Sequence, residues 1–186
     1  MSEFFPSSYE DRGLSLNEIR KINYSYDEIH ELVRYGFNLV QDNGFKPDYI
    51  IAIGGGGFIP ARILRTYIDV PILAFSASYY EGDTMVPSKE PKLIQTIDPS
   101  IIIGKKILIV DEVDDTRNTL LWVINKINTS MEDLDNEEML NQTQMGVFVV
   151  HNKDKKKVGF LDDSIHYFSC EMTPGNAWIV YPWDIE

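Results

Sequence analysis

Four carboxylates, on Asp111, Glu112, Asp114 and Asp115, crowd onto the end of the apolar run 107–110, and the hydroxyls of Thr116 and Thr119 follow closely. An apolar run of that length reads as a buried strand. Acids where it meets water would stand at the carboxyl end of a parallel sheet, the edge at which ligands bind. Residues 115–119 then turn into a helix. Backbone N–H groups and the two hydroxyls in such a turn converge on one anion, and the positive end of the helix dipole adds to the attraction. A phosphate fits that nest. Asp111 and Glu112, one strand end away, are spaced for a ribose. Carboxylates accept hydrogen bonds from vicinal hydroxyls and put negative charge beside a sugar carbon that becomes cationic in a dissociative transition state. Without that chemistry the segment reads as an acidic turn, with Asp115 capping the next helix.

Gly54, Gly55, Gly56 and Gly57 make a second candidate. A strand before them and a helix after them is the setting of a dinucleotide-binding fingerprint, but the third glycine of that pattern would fall on Ile59. Four successive glycines exceed what a tight turn needs, and amides without side chains suit close approach to a pyrophosphate. Further on, Trp178, Tyr181 and Trp183 offer either packing or a stacking face for a flat heterocycle.

These residues need a scaffold, and the pattern supplies one. Ser25 with Glu28 is a capping box, and Ile29, Leu32, Val33, Phe37 and Val40 recur at helical spacing until Gly44 and Pro47. Short apolar runs at 49–53, 71–75, 106–110 and 146–150 predict strands, with helices at 59–67 and 119–127 between them. Alternating strands and helices predict an α/β fold, a parallel sheet flanked by helices. Residues 79–103 carry Gly82 and several prolines, which predicts a mobile, functional loop over about 79–100.

The chain has 186 residues, enough for one compact domain. Its 44% hydrophobic and 25% charged residues are those of an ordinary soluble protein, with no membrane-spanning run and no secretion signal at the N-terminus. A cytoplasmic location and no membrane partner are expected. Cys170 is the sole cysteine, which excludes an intrachain disulfide and reads as a small buried filler. A net charge of -12 argues against nucleic acid as a partner despite the basic patch 153–157. A polyanionic ligand would therefore need its positive potential from amides, metal and a few cations.

The run 107–120 resembles the PRPP-binding motif of type I purine phosphoribosyltransferases, with two adjacent acids, two variable positions and an Asp-Thr-x-x-Thr phosphate loop. Its wording is nearest to the yeast-type hypoxanthine-guanine and xanthine enzymes, and the likeness runs from about Tyr24 onward. It implies the type I phosphoribosyltransferase fold: a core at 25–155, a small C-terminal hood at 156–186, and an extension at 1–24 that could join the hood. It implies transfer of the phosphoribosyl group of PRPP to a 6-oxopurine base, giving a nucleoside monophosphate and pyrophosphate. By that resemblance Asp111 and Glu112 bind the ribose, partly through Mg2+, and Asp115, Thr116, Arg117, Asn118 and Thr119 hold the 5'-phosphate. Asp115 would be the general base near N7. Arg117 stands where many relatives have glycine.

Gly54, Gly55 and Gly56 match the pyrophosphate loop, which in the family often carries a cationic residue and a cis peptide bond. Here that position is Gly55, so the cationic contact is absent or comes from elsewhere, with Arg62, Lys89 and Lys92 as candidates. Ser78 and Tyr79 match the start of the family's flexible loop. Trp178 would stack on the purine, Ile179 and Val113 would line its site, and Lys153 would donate to the 6-oxo group. That donor would select against adenine, whose exocyclic amine itself donates. Asp184 matches an acid that helps position magnesium. A homodimer or homotetramer is implied. The rival expectations are a PRPP- or nucleotide-sensing regulator with little activity, and a phosphoacceptor signalling domain.

Overall fold

The computed structural model describes residues 20–80 and 87–184, with side chains for 20–77 and 91–184. After β1 (Lys21–Asn23), helix α1 (Tyr26–Asn43) starts at the capping box: the Ser25 hydroxyl accepts from Glu28 N–H, and Glu28 accepts from Ser25 N–H at 2.7 Å. It ends at Gly44, whose φ of 78° is the left-handed conformation glycine adopts without penalty. There follow β2 (Tyr49–Gly54), α2 (Phe58–Leu64), β3 (Ile72–Tyr80), β4 (Pro87–Gln95), α3 (Pro99–Ile102), β5 (Lys106–Asp114), α4 (Asn118–Glu132), α5 (Glu137–Gln142), β6 (Gln144–Asp154), β7 (His166–Pro174) and β8 (Trp178–Val180).

Six strands form one sheet in the order β4-β3-β2-β5-β6-β7, parallel throughout except for β4. Their side chains alternate between two cores. Ile50, Ala52, Leu108, Val110, Phe148 and Val150 face α1 and α2, while Ile51, Ile109, Val147 and Val149 face α3 and α4. The strands are buried on both faces, and this is why they read as continuous apolar runs rather than alternating ones. Chain order reverses between β2 and β5, so their carboxyl ends part there and leave the crevice where ligands bind in such sheets. Among the described residues no helix is long and apolar enough to cross a membrane.

One expectation needs correction. The segment 79–100 is largely built: β3 continues through Ser78 and Tyr79, and β4 returns antiparallel to it, with register shifts after Ser76 and Ser78. Pro87 and Pro91 masked this strand in the sequence, but prolines are tolerated on a sheet edge, where one side needs no hydrogen bonds. Residues 81–86 of the expected loop lie outside the described residues. Within the segment 156–186 expected as the hood, β7 pairs with β6 as the sixth strand of the main sheet. Outside that sheet, β8 pairs in parallel with β1, matching Lys21 to Trp178 and Asn23 to Val180. Residues 1–19 of the expected extension lie outside the described residues.

Candidate active site

The parted ends of β2 and β5 open a cleft of about 230 Å³, walled by Gly54, Gly55 and Gly56 on one side and by residues 111–120 on the other. The Gly54–Gly55 peptide is cis. A methyl group on Gly56 would sit inside the Glu112 carboxylate, so the two walls touch there only because Gly56 has no side chain. At Gly55 an added Cβ would meet nothing within 4 Å. Arg62 does not make up for a cation at Gly55. It is exposed in the last turn of α2, reaches Thr66 Oγ1 at 3.4 Å and does not line the cleft, because the helix turns it outward. Lys92 is exposed on β4, and the side chains of Lys89, Ser78 and Tyr79 lie outside the described residues.

Asp111 is buried, and its Oδ1 accepts from the Glu112 N–H at 2.9 Å. Burial, then the adjoining Glu112 carboxylate, holds its carboxyl well above the usual range. Glu112 Oε2 is buried without a partner. A crowded acid pair with an open oxygen fits a divalent cation. Among the described residues, however, no three acidic, histidine or cysteine side chains stand together as a metal cage. Asp184 is therefore not gathered with Asp111 and Glu112, since its Oδ2 accepts from the Tyr181 N–H at 3.1 Å. Two carboxylates fit magnesium, which keeps waters and takes further oxygens from a phosphate substrate.

Beyond the acids, the loop 115–119 is tied from behind. Lys157 Nζ donates to the carbonyls of Asp114, Asp115 and Lys153 at 2.7, 2.9 and 2.9 Å, and Val158 N–H donates to the Thr116 carbonyl at 3.0 Å. Among the described residues, the N–H groups of Asp115, Thr116, Arg117 and Asn118 donate to no protein acceptor. Occupied carbonyls and unused amides are the two sides of an anion nest. The Arg117 side chain has partners within the protein. Its guanidinium binds the buried Asp114 Oδ2 through Nε at 3.0 Å and Nη2 at 2.8 Å and lies 5.2 Å over the Tyr167 ring. Tyr167 O–H donates to the same oxygen at 2.8 Å. Arg117 also has φ 70°, a left-handed backbone that costs a residue with a Cβ about 1–2 kcal/mol. One hydrogen bond to a buried charge offsets about 1.5–3 kcal/mol, so the pair with Asp114 is enough to hold it.

Two lysines gather around Asp115. Lys155 Nζ lies 2.5 Å from its Oδ1 and Lys153 Nζ 3.5 Å from its Oδ2. Burial pushes the Asp115 carboxyl up, but the two ammoniums outweigh it and leave it below the usual value. Val113 lines the cleft, Trp178 is 59% exposed on β8, and Ile179 is buried beside it. Beneath them Tyr181 O–H donates to the Glu112 carbonyl at 3.0 Å, so its oxygen accepts from His151 Nδ1–H at 2.8 Å. His151 is fully buried against the Tyr24 ring, with Nε2 3.4 Å from Glu171.

The structure brings Asp111, Glu112, Val113, residues 115–119 and the glycines, all singled out in the sequence, to one cleft, and it sets Lys153 beside Asp115. Sequence reasoning missed Lys155 and Lys157, whose only signal was the basic patch 153–157. Asp114 and Tyr181 were visible in the sequence without their partners, and Tyr167 and His151 were missed, because these contacts join segments far apart in the chain.

Comparison with known proteins adds to this geometry. A model of the phosphoribosyl transferase domain matches residues 15–184. The chain is 41% identical to a hypoxanthine-guanine phosphoribosyltransferase of Schizosaccharomyces pombe, over 89% of this chain and 90% of that one. It is 36% identical to xanthine phosphoribosyltransferase 1 of Saccharomyces cerevisiae, over 91% and 92%. Among solved structures, a hypothetical protein from Neisseria gonorrhoeae with bound ppGpp superposes with a TM-score of 0.75 at 38% identity, covering 90% of this chain and 91% of that one. A purine phosphoribosyltransferase from Pyrococcus horikoshii shares the fold, with a TM-score of 0.65 at 24% identity over 90% and 96%.

Proposed function

This chain belongs to the phosphoribosyl transferase domain family, and we propose that it transfers the phosphoribosyl group of PRPP to hypoxanthine, guanine or xanthine, releasing pyrophosphate. The observation that carries the reading is the nest of unused amides at 115–118 beside the acid pair Asp111 and Glu112. Curated relatives at 36–41% identity, named for hypoxanthine-guanine and xanthine, support the choice of base. The relative that holds ppGpp supports purine nucleotides as ligands of this fold.

In this reading the amides of the loop, with the Thr116 and Thr119 hydroxyls, hold the 5'-phosphate, and Asp111 and Glu112 accept from the ribose hydroxyls. Their negative charge stabilises C1′ as its bond to pyrophosphate breaks and its bond to N9 of the purine forms. Asp111 and Glu112 would hold magnesium, which would supply charge neutralisation for the leaving pyrophosphate. Asp115 takes the proton from N7, Lys153 donates to the 6-oxo oxygen, and Trp178 stacks on the ring. The glycine loop lets the pyrophosphate approach the backbone. The same reading carries a cytoplasmic location and a homodimeric or homotetrameric assembly.

The purified protein, given PRPP, magnesium and each oxopurine in turn, is expected to form the nucleoside monophosphate, separable by chromatography. Adenine is expected to give none. Failure with all three oxopurines would overturn the reading, and PRPP binding without product would favour the sensing protein instead.

A further inference from the structure

Arg117 holds a left-handed turn in the phosphate loop, with φ 70°, yet its guanidinium is bound to Asp114. Three contacts converge on the same buried carboxylate. Arg117 and Tyr167 both donate to Asp114 Oδ2, and Lys157 Nζ lies 3.6 Å from Oδ1. Asp114 is 1% exposed, so removing any of these partners would leave its charge less compensated in a place water does not reach. Lys157 also ties down the carbonyls at 114 and 115. Val158, the next residue, does the same for the carbonyl at 116.

We propose that Arg117, Asp114, Tyr167 and Lys157 form a strut behind the phosphate loop, in which the Arg117 side chain is a positioning group and its guanidinium touches no phosphate. The inference rests on the PRPP reading above. The strut fixes the left-handed turn at 117 from the side chain, where a glycine would adopt it from the backbone alone. It also keeps the loop carbonyls facing inward, so that only donors meet the anion. A direct ligand and a strut predict different things for the same substitutions. A ligand would be partly replaced by lysine and equally lost to alanine and glycine. A strut is lost to alanine and to lysine, because lysine brings a Cβ to the strained turn without the paired guanidinium bonds. It is largely restored by glycine, which needs no help at φ 70°.

The test begins with calorimetric titration of the wild-type protein with PRPP and magnesium, then measures KM for PRPP and kcat for Arg117→Ala, Arg117→Lys, Arg117→Gly and Tyr167→Phe. Arg117→Ala and Arg117→Lys are expected to raise KM for PRPP about ten-fold with kcat within about three-fold, and Arg117→Gly to return KM to within about three-fold of wild type. Tyr167→Phe keeps the ring and loses one bond to Asp114, for an expected two- to three-fold rise, roughly, in KM. It remains informative if the alanine variant does not fold. Lysine rescuing better than glycine would overturn the proposal, as would KM values that none of the four changes. No PRPP binding by the wild type would instead overturn the reading on which the strut rests.

Discussion

The cleft has two walls that reach the same end by opposite means. The glycine wall exposes its amides by having no side chains, and Gly56 lies so close to Glu112 that a methyl group would overlap its carboxylate. The acidic wall exposes its amides by tying every nearby carbonyl, through Lys157 and Val158, and by pinning Arg117 to a buried acid. One wall is open because it is empty, and the other because the carbonyls behind it are bonded. Substitutions should therefore act by steric intrusion on the first wall and by lost support or lost charge on the second.

The sharpest break in that contrast is Gly56→Ala. The added methyl displaces Glu112, and steady-state assays should show a loss of kcat/KM of roughly 100-fold or more, given what small misplacements cost at reacting centres. A loss under about three-fold would mean the walls do not depend on that contact. Next comes Asp115→Asn, which keeps the shape of the second wall and removes its proton acceptor. Turnover should fall about 100-fold, the range of general base catalysis, with PRPP affinity little changed. Equal loss of both would assign Asp115 to phosphate binding.

A milder probe is Lys155→Met. Burial alone would raise the Asp115 carboxyl, but Lys155 and Lys153 hold it below its usual value, so it stays ionised as pH falls past the point where an ordinary aspartate takes up a proton. The acid limb of the pH profile of kcat should thus lie low in the wild type and move to higher pH in the variant. A limb that stays in place would show that Asp115 does not set it. Smallest is Gly55→Ala, where the new Cβ meets nothing. Its kinetics should stay within about three-fold of wild type, and a loss near that of Gly56→Ala would erase the distinction within the glycine wall.

What could be read in advance follows the same division. The glycines, the acids and the strand runs are local patterns, and each was legible because burial on both faces writes a strand as an unbroken apolar stretch. The strut was not legible, because it joins Asp114 to Tyr167 on another strand, and nothing in either segment names the other. The basic patch was visible as charge, yet three of its lysines divide between two tasks, Lys153 and Lys155 at Asp115 and Lys157 at the loop carbonyls. Which lysine does which depends on the course of the chain after β6. Strand β7, which the resemblance placed within the hood, has a mixed sequence rather than the continuous apolar run of the central strands, as its edge position allows.

The pairing of Lys21 with Trp178 sets an order of events for a chain emerging from the ribosome. All six strands of the main sheet can be in place once residue 174 has left the exit tunnel, while β1 still has no neighbour. Closing it onto β8 joins residues separated by nearly the whole described chain, a step whose entropic penalty grows only slowly with length but which cannot begin earlier. The surface carrying Trp178 is therefore completed last, and a transcript cut short just upstream of it would yield a protein with its phosphate loop assembled and that aromatic face missing.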